Sequence, residues 1–302
     1  MVECNHGLLG CISSLARDLL EDRRVSREAR SGRGDITKIH PHLHERGAPM
    51  KTLERNGTRL AYDEVGRSPP PLVFIHGLGC DRSYFAPQLT HFGRTHRAIA
   101  VDLRSHGDST SPDDGTLAAL ADDVAWLCQE LSLQAPVLVG HSLGGVVALE
   151  LSRRHPGQAR AIVLLDSAVA MTSEIRAMSE QLLRALIATQ DLQQWASLCE
   201  QHIGPAASPD LRARILSDFK RSPARLLQTR TEQSIQWDAM GALQAYRGPL
   251  LYVQGLAPFS KAILHAACPQ AQVERLESAG HYSTLAAPAA VNALLERFLA
   301  TL

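Results

Sequence analysis

Val137-Leu138-Val139-Gly140-His141-Ser142-Leu143-Gly144-Gly145 decides how this chain is read. Three apolar, strand-forming residues run into a Gly-x-Ser-x-Gly pentapeptide. Val146-Val147-Ala148-Leu149-Glu150-Leu151 then continues with helix-forming composition. Glycine on both sides of a serine lets the backbone turn sharply without Cβ clashes. A strand before the turn and a helix after it hold the serine out at the carboxyl edge of a sheet, its hydroxyl facing a pocket. Ser142 is therefore the expected nucleophile.

A serine hydroxyl attacks poorly unless a base lies within hydrogen-bond reach and a third group orients that base. The candidate base is His281, in Glu277-Ser278-Ala279-Gly280-His281-Tyr282. It follows an apolar run, sits in a glycine-containing loop and precedes the final helical stretch. His141 adjoins Ser142, its side chain would point elsewhere, and it is read as packing around the turn. His76 and His106 are read as shaping their loops. A tetrahedral intermediate also needs N–H donors already aimed at its oxyanion. Leu143 offers one at the start of the helix after the serine, where the helix dipole favours an anion. Leu78 offers the second, in Phe74-Ile75-His76-Gly77-Leu78-Gly79, whose glycines permit close backbone approach.

Further outward the pattern is an alternation. Apolar runs at Leu60–Val65, Leu72–Ile75, Ala98–Val101, Val137–Val139, Ala161–Leu165, Leu250–Val253 and Val273–Leu276 predict strands. Tyr84–Phe92, Leu117–Leu131, Val146–His155, Ser260–Ala267 and Ala289–Leu299 predict the helices between them. Runs that are continuous rather than alternating belong to strands covered on both faces, hence to a mainly parallel sheet. Asn56-Gly57 marks a hairpin, so the sheet is expected to begin antiparallel. From Asp166 to Pro249 no strand is expected. Ser173–Thr189, Leu192–His202, Asp210–Lys220 and Ala224–Trp237 read as helices, with Pro205, Pro209 and Pro223 as punctuation. Such an insertion beside the serine, at about 170–246, is expected to cap the site.

Composition narrows the function classes. The 302 residues carry a formal net charge of zero, which gives no reason to expect nucleic acid or a membrane as partner. Six scattered cysteines lack ligand spacing and suit buried thiols in a reducing, cytoplasmic setting. No metal and no cofactor is expected. Residues 1–49 mix charges of both signs with Ser and Gly and are expected to form a disordered extension. The cluster His40, His42 and His44 is read as solvated rather than metal-binding. Export is not expected, since no basic n-region and apolar h-region precede Cys11. Met50 opens the expected folded domain, 50–302, and is a candidate initiator.

His76-Gly77-Leu78-Gly79, Asp102-Leu103-Arg104-Ser105-His106-Gly107-Asp108-Ser109, Gly140–Gly145 and Gly280-His281 stand in the order and spacing of the α/β-hydrolase superfamily, which the chain resembles from Leu53 to Leu302. The resemblance implies an α/β-hydrolase fold: an eight-stranded, mostly parallel sheet with helices on both faces and a cap after the sixth strand. Many members carry the triad acid just after the seventh strand, as Gly-x-x-Asp. Here Gly255 is followed by Leu256-Ala257-Pro258 without a carboxylate. Other members place the acid after the sixth strand, which makes Asp166 the expected acid. The alternative is that Asp166 only caps the following segment and that the base works with Glu277 or with no acid. The expected activity is hydrolysis of a small carboxylic ester, lactone or thioester through an acyl-serine, with a small-molecule acyl substrate as the partner. Trp195, Phe219, Trp237 and Met240 are candidates to line its pocket. The alternatives are a ligand-binding protein on a hydrolase scaffold, or a cofactor-free perhydrolase or carbon–carbon bond hydrolase with the same triad.

Overall fold

In the computed structural model, which describes residues 50–189, 191–276 and 279–302, the run 137–141 is a buried strand at the centre of a sheet. The strands are β1 (Lys51–Arg55), β2 (Thr58–Val65), β3 (Leu72–Ile75), β4 (Ala98–Val101), β5 (Val137–His141), β6 (Ala161–Leu165), β7 (Leu250–Gln254) and β8 (Gln272–Arg275). Their order is β1-β2-β4-β3-β5-β6-β7-β8, with β2 antiparallel to both neighbours and every other pairing parallel. The β1–β2 turn holds Asn56 and Gly57 at φ 51° and 78°, the two positive angles that such a hairpin needs.

The apolar runs are continuous because both faces of the sheet are covered. Val73, Ile75, Leu138, Ile162, Leu164 and Tyr252 pack on one side with α2 (Leu117–Glu130) and α3 (Leu143–Arg154). Phe74, Val137, Val139, Val163, Leu251 and Val253 pack on the other with α1 (Ala86–Phe92) and the C-terminal helix Pro288–Leu299. Alternate residues of one strand thus serve opposite layers.

Between β6 and β7 lie α4 (Ser173–Thr189), α5 (Leu192–His202), α6 (Pro209–Arg221), α7 (Ala224–Gln236) and α8 (Ala239–Ala245). Asp191, Ser208 and Asp238 cap three of these helices by accepting first-turn N–H groups, and Pro209 takes a first-turn position whose missing N–H costs nothing. After β7 come α9 (Lys261–Ala267), the short α10 (Ser283–Ala286) and the C-terminal α11 (Pro288–Leu299). The short helices α8 and α10 are absent from the sequence reading. The expected extension 1–49, with His40, His42 and His44, and the alternative acid Glu277 lie outside the described residues. Among the described residues no helix is long and apolar enough to cross a membrane, and no group of side chains is arranged to hold a metal ion.

Candidate active site

Ser142 stands between β5 and α3 at φ 51° and ψ −115°, a conformation that residues with a Cβ avoid. The turn is tight because α3 starts almost against the sheet. A Cβ on Gly144 would strike the Ile75 carbonyl, and one on Gly140 would strike the Gly144 main chain. The Ser142 N–H donates to Leu165 O at 2.9 Å, and its C=O accepts from Ser167 Oγ at 2.9 Å and Gly145 N at 3.0 Å. The turn is thereby tied to the end of β6.

Asp166, the first residue past β6, also has a positive φ, 50°, and is 1% exposed. Its carboxylate accepts from His281 Nδ1–H at 2.7 Å. It also accepts the N–H groups of Gly255 at 2.7 Å, Leu256 at 3.0 Å and Ala257 at 2.9 Å. The loop after β7 therefore brings no acid; it brings three donors that close around an acid from the neighbouring strand. Burial pushes the Asp166 pKa up, but the His281 hydrogen bond and charge and the backbone donors outweigh it, and the carboxyl lies below its ordinary range.

His281 is held at three points. Besides Nδ1, its N–H donates to His202 O at 2.9 Å and its C=O accepts from His141 Nε2–H at 2.8 Å. A carbonyl can only accept, so His141 is protonated on Nε2. Burial, followed by the nearby His281 charge, pushes the His141 pKa down to about 3, which keeps this ring neutral. The Nε2 of His281 hydrogen-bonds nothing among the described residues. Glycine at 77 brings the loop after β3 within contact distance of the same residues: a Cβ there would lie 3.2 Å from Ser142 Cβ. In that loop the Leu78 N–H has no acceptor among the described residues. Leu143 begins α3, so its N–H has no acceptor within the helix.

The loop is held by His76, which donates from Nδ1 to Gly77 O at 2.8 Å and accepts the Leu103 N–H at 3.0 Å. His106 donates from Nδ1 to Arg104 O at 2.9 Å. Both therefore shape backbone, as the sequence suggests. Phe219 lies against this loop, since a Cβ on Gly79 would meet its ring at 2.7 Å. Trp195 is buried within the insertion. Trp237 and Met240 pack against the core cluster that also holds Leu143, with Trp237 Nε1–H donating to Glu150 on α3 at 3.0 Å. The sequence reading missed two partners of His281, the His202 carbonyl and the His141 ring, and the donors at 255–257 that hold Asp166. Only the glycine after β7 hinted at the last.

The model of the alpha/beta hydrolase family matches residues 72–294. The chain belongs to the alpha/beta hydrolase family. Among relatives of this family, it is 30% identical over 153 residues to 2-(acetamidomethylene)succinate hydrolase of Mesorhizobium japonicum, covering 50% of this chain and 46% of that protein. It is 25% identical over 246 residues to the mouse sn-1-specific diacylglycerol lipase ABHD11, covering 70% and 75%. The chain thus spans less than half of the first relative's length. The crystal structure of the enol-lactonase from Burkholderia xenovorans superposes with a TM-score of 0.70 at 24% identity, covering 83% of this chain and all of that one, which establishes a common fold.

Proposed function

We propose that this hydrolase cleaves a small carboxylic ester, lactone or thioester through an acyl-serine intermediate. The observation that carries the reading is the 2.7 Å contact between Asp166 Oδ2 and His281 Nδ1, made at the sheet edge that bears the strained Ser142. With the Nδ1 proton fixed by the carboxylate, His281 Nε2 is the basic nitrogen and takes the proton from Ser142 Oγ as Oγ adds to the acyl carbon. Negative charge grows on the carbonyl oxygen against the N–H groups of Leu78 and Leu143. Collapse of the intermediate breaks the bond to the alkoxide or thiolate, which receives the proton from Nε2. Water then adds to the acyl carbon, giving its proton to the same nitrogen; the bond to Oγ breaks, Oγ takes that proton back from Nε2, and the acid is released. Helices α4–α8 serve as the cap, and Phe219 borders the acyl side of the site.

The case for a non-catalytic scaffold rested on the missing carboxylate after β7. That case weakens once the 255–257 donors are seen to accommodate Asp166. Esters and lactones fit the activities that the names of the lipase and the lactonase state. Ser142→Ala and His281→Ala should each lower kcat on the order of 10⁴–10⁶-fold without adding in the double variant. The assay is a panel of p-nitrophenyl esters, lactones and thioesters, with fluorophosphonate labelling of Ser142 alongside. Retention of more than a few per cent of activity by Ser142→Ala would overturn the acyl-enzyme reading.

A further inference from the structure

His281 is held by more than its acid. Its N–H meets the carbonyl of His202, the last residue of α5 in the insertion, and Ile203 pairs with Gly280 in an antiparallel bridge. No side chain separates the two segments. A Cβ on Gly204 would lie 2.6 Å from Gly280 Cα and 2.7 Å from Ala279 C, and one on Gly280, at φ 69°, would strike the Gly204 main chain. The bridge therefore exists only because both residues are glycine. The His202 ring faces His281 at 6.0 Å between centroids and is fixed by its own Nδ1–H donating to Leu198 O at 2.7 Å. A few residues on, α6 grips the other side of the site: Tyr84 Oη–H donates to Asp218 at 3.0 Å and Arg214 donates to Ser83 Oγ at 2.6 Å.

We propose that the segment His202–Gly204 is a positioning element for the general base, so that the seating of the helical insertion sets the reactivity of Ser142. The proposal rests on the reading of His281 as that base. Asp166 fixes the ring's proton, but a ring is aimed only as well as its main chain is held. On one side the anchor is His141, which belongs to the nucleophile's own strand. On the other it is a carbonyl from the insertion. When the insertion lifts, the His281 N–H loses its acceptor, the loop slides, and Nε2 leaves the line to Ser142 Oγ. A misplacement near 1 Å costs on the order of 10²-fold in rate. The titratable groups around the ring are Asp166, His141, His202 and Tyr282, and burial keeps the last three uncharged at neutral pH.

The test is Gly204→Ala in the full chain, since the added methyl wedges the two segments apart. Fluorophosphonate labelling of wild-type Ser142 comes first. If it fails, the acyl-serine reading falls and this proposal with it. If wild type labels, the variant should label on the order of 10–100-fold more slowly. Its kcat should fall in parallel while KM stays within about twofold, as expected for an interaction felt in the transition state. Labelling and kcat close to wild type, or a loss confined to KM, would overturn the positioning role alone. Should the variant not fold, hydrogen exchange on wild type decides. Peptides covering 192–204 and 279–285 should exchange with one common opening rate, and independent opening would overturn the proposal.

Discussion

Ser142 and Asp166 end neighbouring strands, and both hold positive φ angles that L side chains rarely adopt. Strain of this kind costs on the order of 1–3 kcal/mol per residue and persists only where the surroundings over-determine it. Here they do, through the Leu165, Ser167 and Gly145 contacts of Ser142 and the bond from Asp166 N–H to Val253 O at 2.8 Å. Ser142→Gly should therefore unfold at higher denaturant than Ser142→Ala, by about 1 kcal/mol, since glycine alone accepts this conformation without strain. Equal midpoints for the two inactive variants would count against strain at the turn. At Asp166 the expected effect is on rate. Asp166→Asn presents an amide to a ring that needs a carboxylate, favours the wrong imidazole tautomer and should lower kcat by roughly 10²–10⁴-fold. A fully active Asn variant would remove Asp166 from the mechanism.

At the scale of elements, buried charge fixes the loops at the carboxyl edge. Asp102, fully buried at the end of β4, accepts the Arg82 and Asp108 N–H groups at 2.6 and 2.8 Å and pairs with Arg82 Nη1 at 2.5 Å. This network ties the 3₁₀ turn Arg82–Phe85, just beyond the Leu78 loop, to the β4 loop. Asp102→Ala leaves the Arg82 guanidinium buried with only Asp63 and Asp108 and should cost about 3 kcal/mol in urea unfolding. A cost under about 1 kcal/mol would show that the remaining carboxylates suffice. The elements themselves were legible where sequence is local. Continuous apolar runs marked the central strands β3 to β7 because these are covered on both faces, and Ser142 and His281 came from short motifs. Helix α10, four residues long, has too few turns to show a period, and α8, directly after the expected helix Ala224–Trp237, was not separated from it. Nor were the His202 carbonyl that holds His281 and the 255–257 amides that hold Asp166 legible, because main-chain groups are supplied by any residue. For Trp237 and Met240, apolar character marks burial but not which cavity is being lined.

For the whole molecule, neutral histidines govern the response to acid. Burial, with neighbouring charges, pushes His106 and His141 down to about 3 from an ordinary value of 6.5. The unfolded chain therefore binds more protons than the folded one between those values, so stability is fully present above about 6.5 and is lost as pH falls toward 3. Asp166, lowered from 3.8, acts in the same direction at the acid end of that window. The melting temperature should decline from about pH 6.5 downward, before most carboxylates titrate. His141→Gln, which keeps an N–H for the His281 carbonyl, should flatten the upper part of that decline. An unchanged profile in the variant would assign the acid sensitivity elsewhere.

The three amides at 255–257 and the imidazole Nδ1 form a receptor for a carboxylate that Asp166 happens to fill from the next strand. A receptor of hydrogen-bond donors does not depend on the tether of its guest. Asp166→Gly accepts the positive φ without strain and removes the side chain alone, leaving a space lined by four N–H groups. Formate supplies the same two oxygens on one carbon. Added in increasing concentration, it should restore the activity of Asp166→Gly saturably, while leaving wild type unaffected and failing to rescue Ser142→Ala. Chemical rescue of this kind would show that the acid contributes as a bound ion, and that catalysis tolerates its covalent connection to β6 being cut.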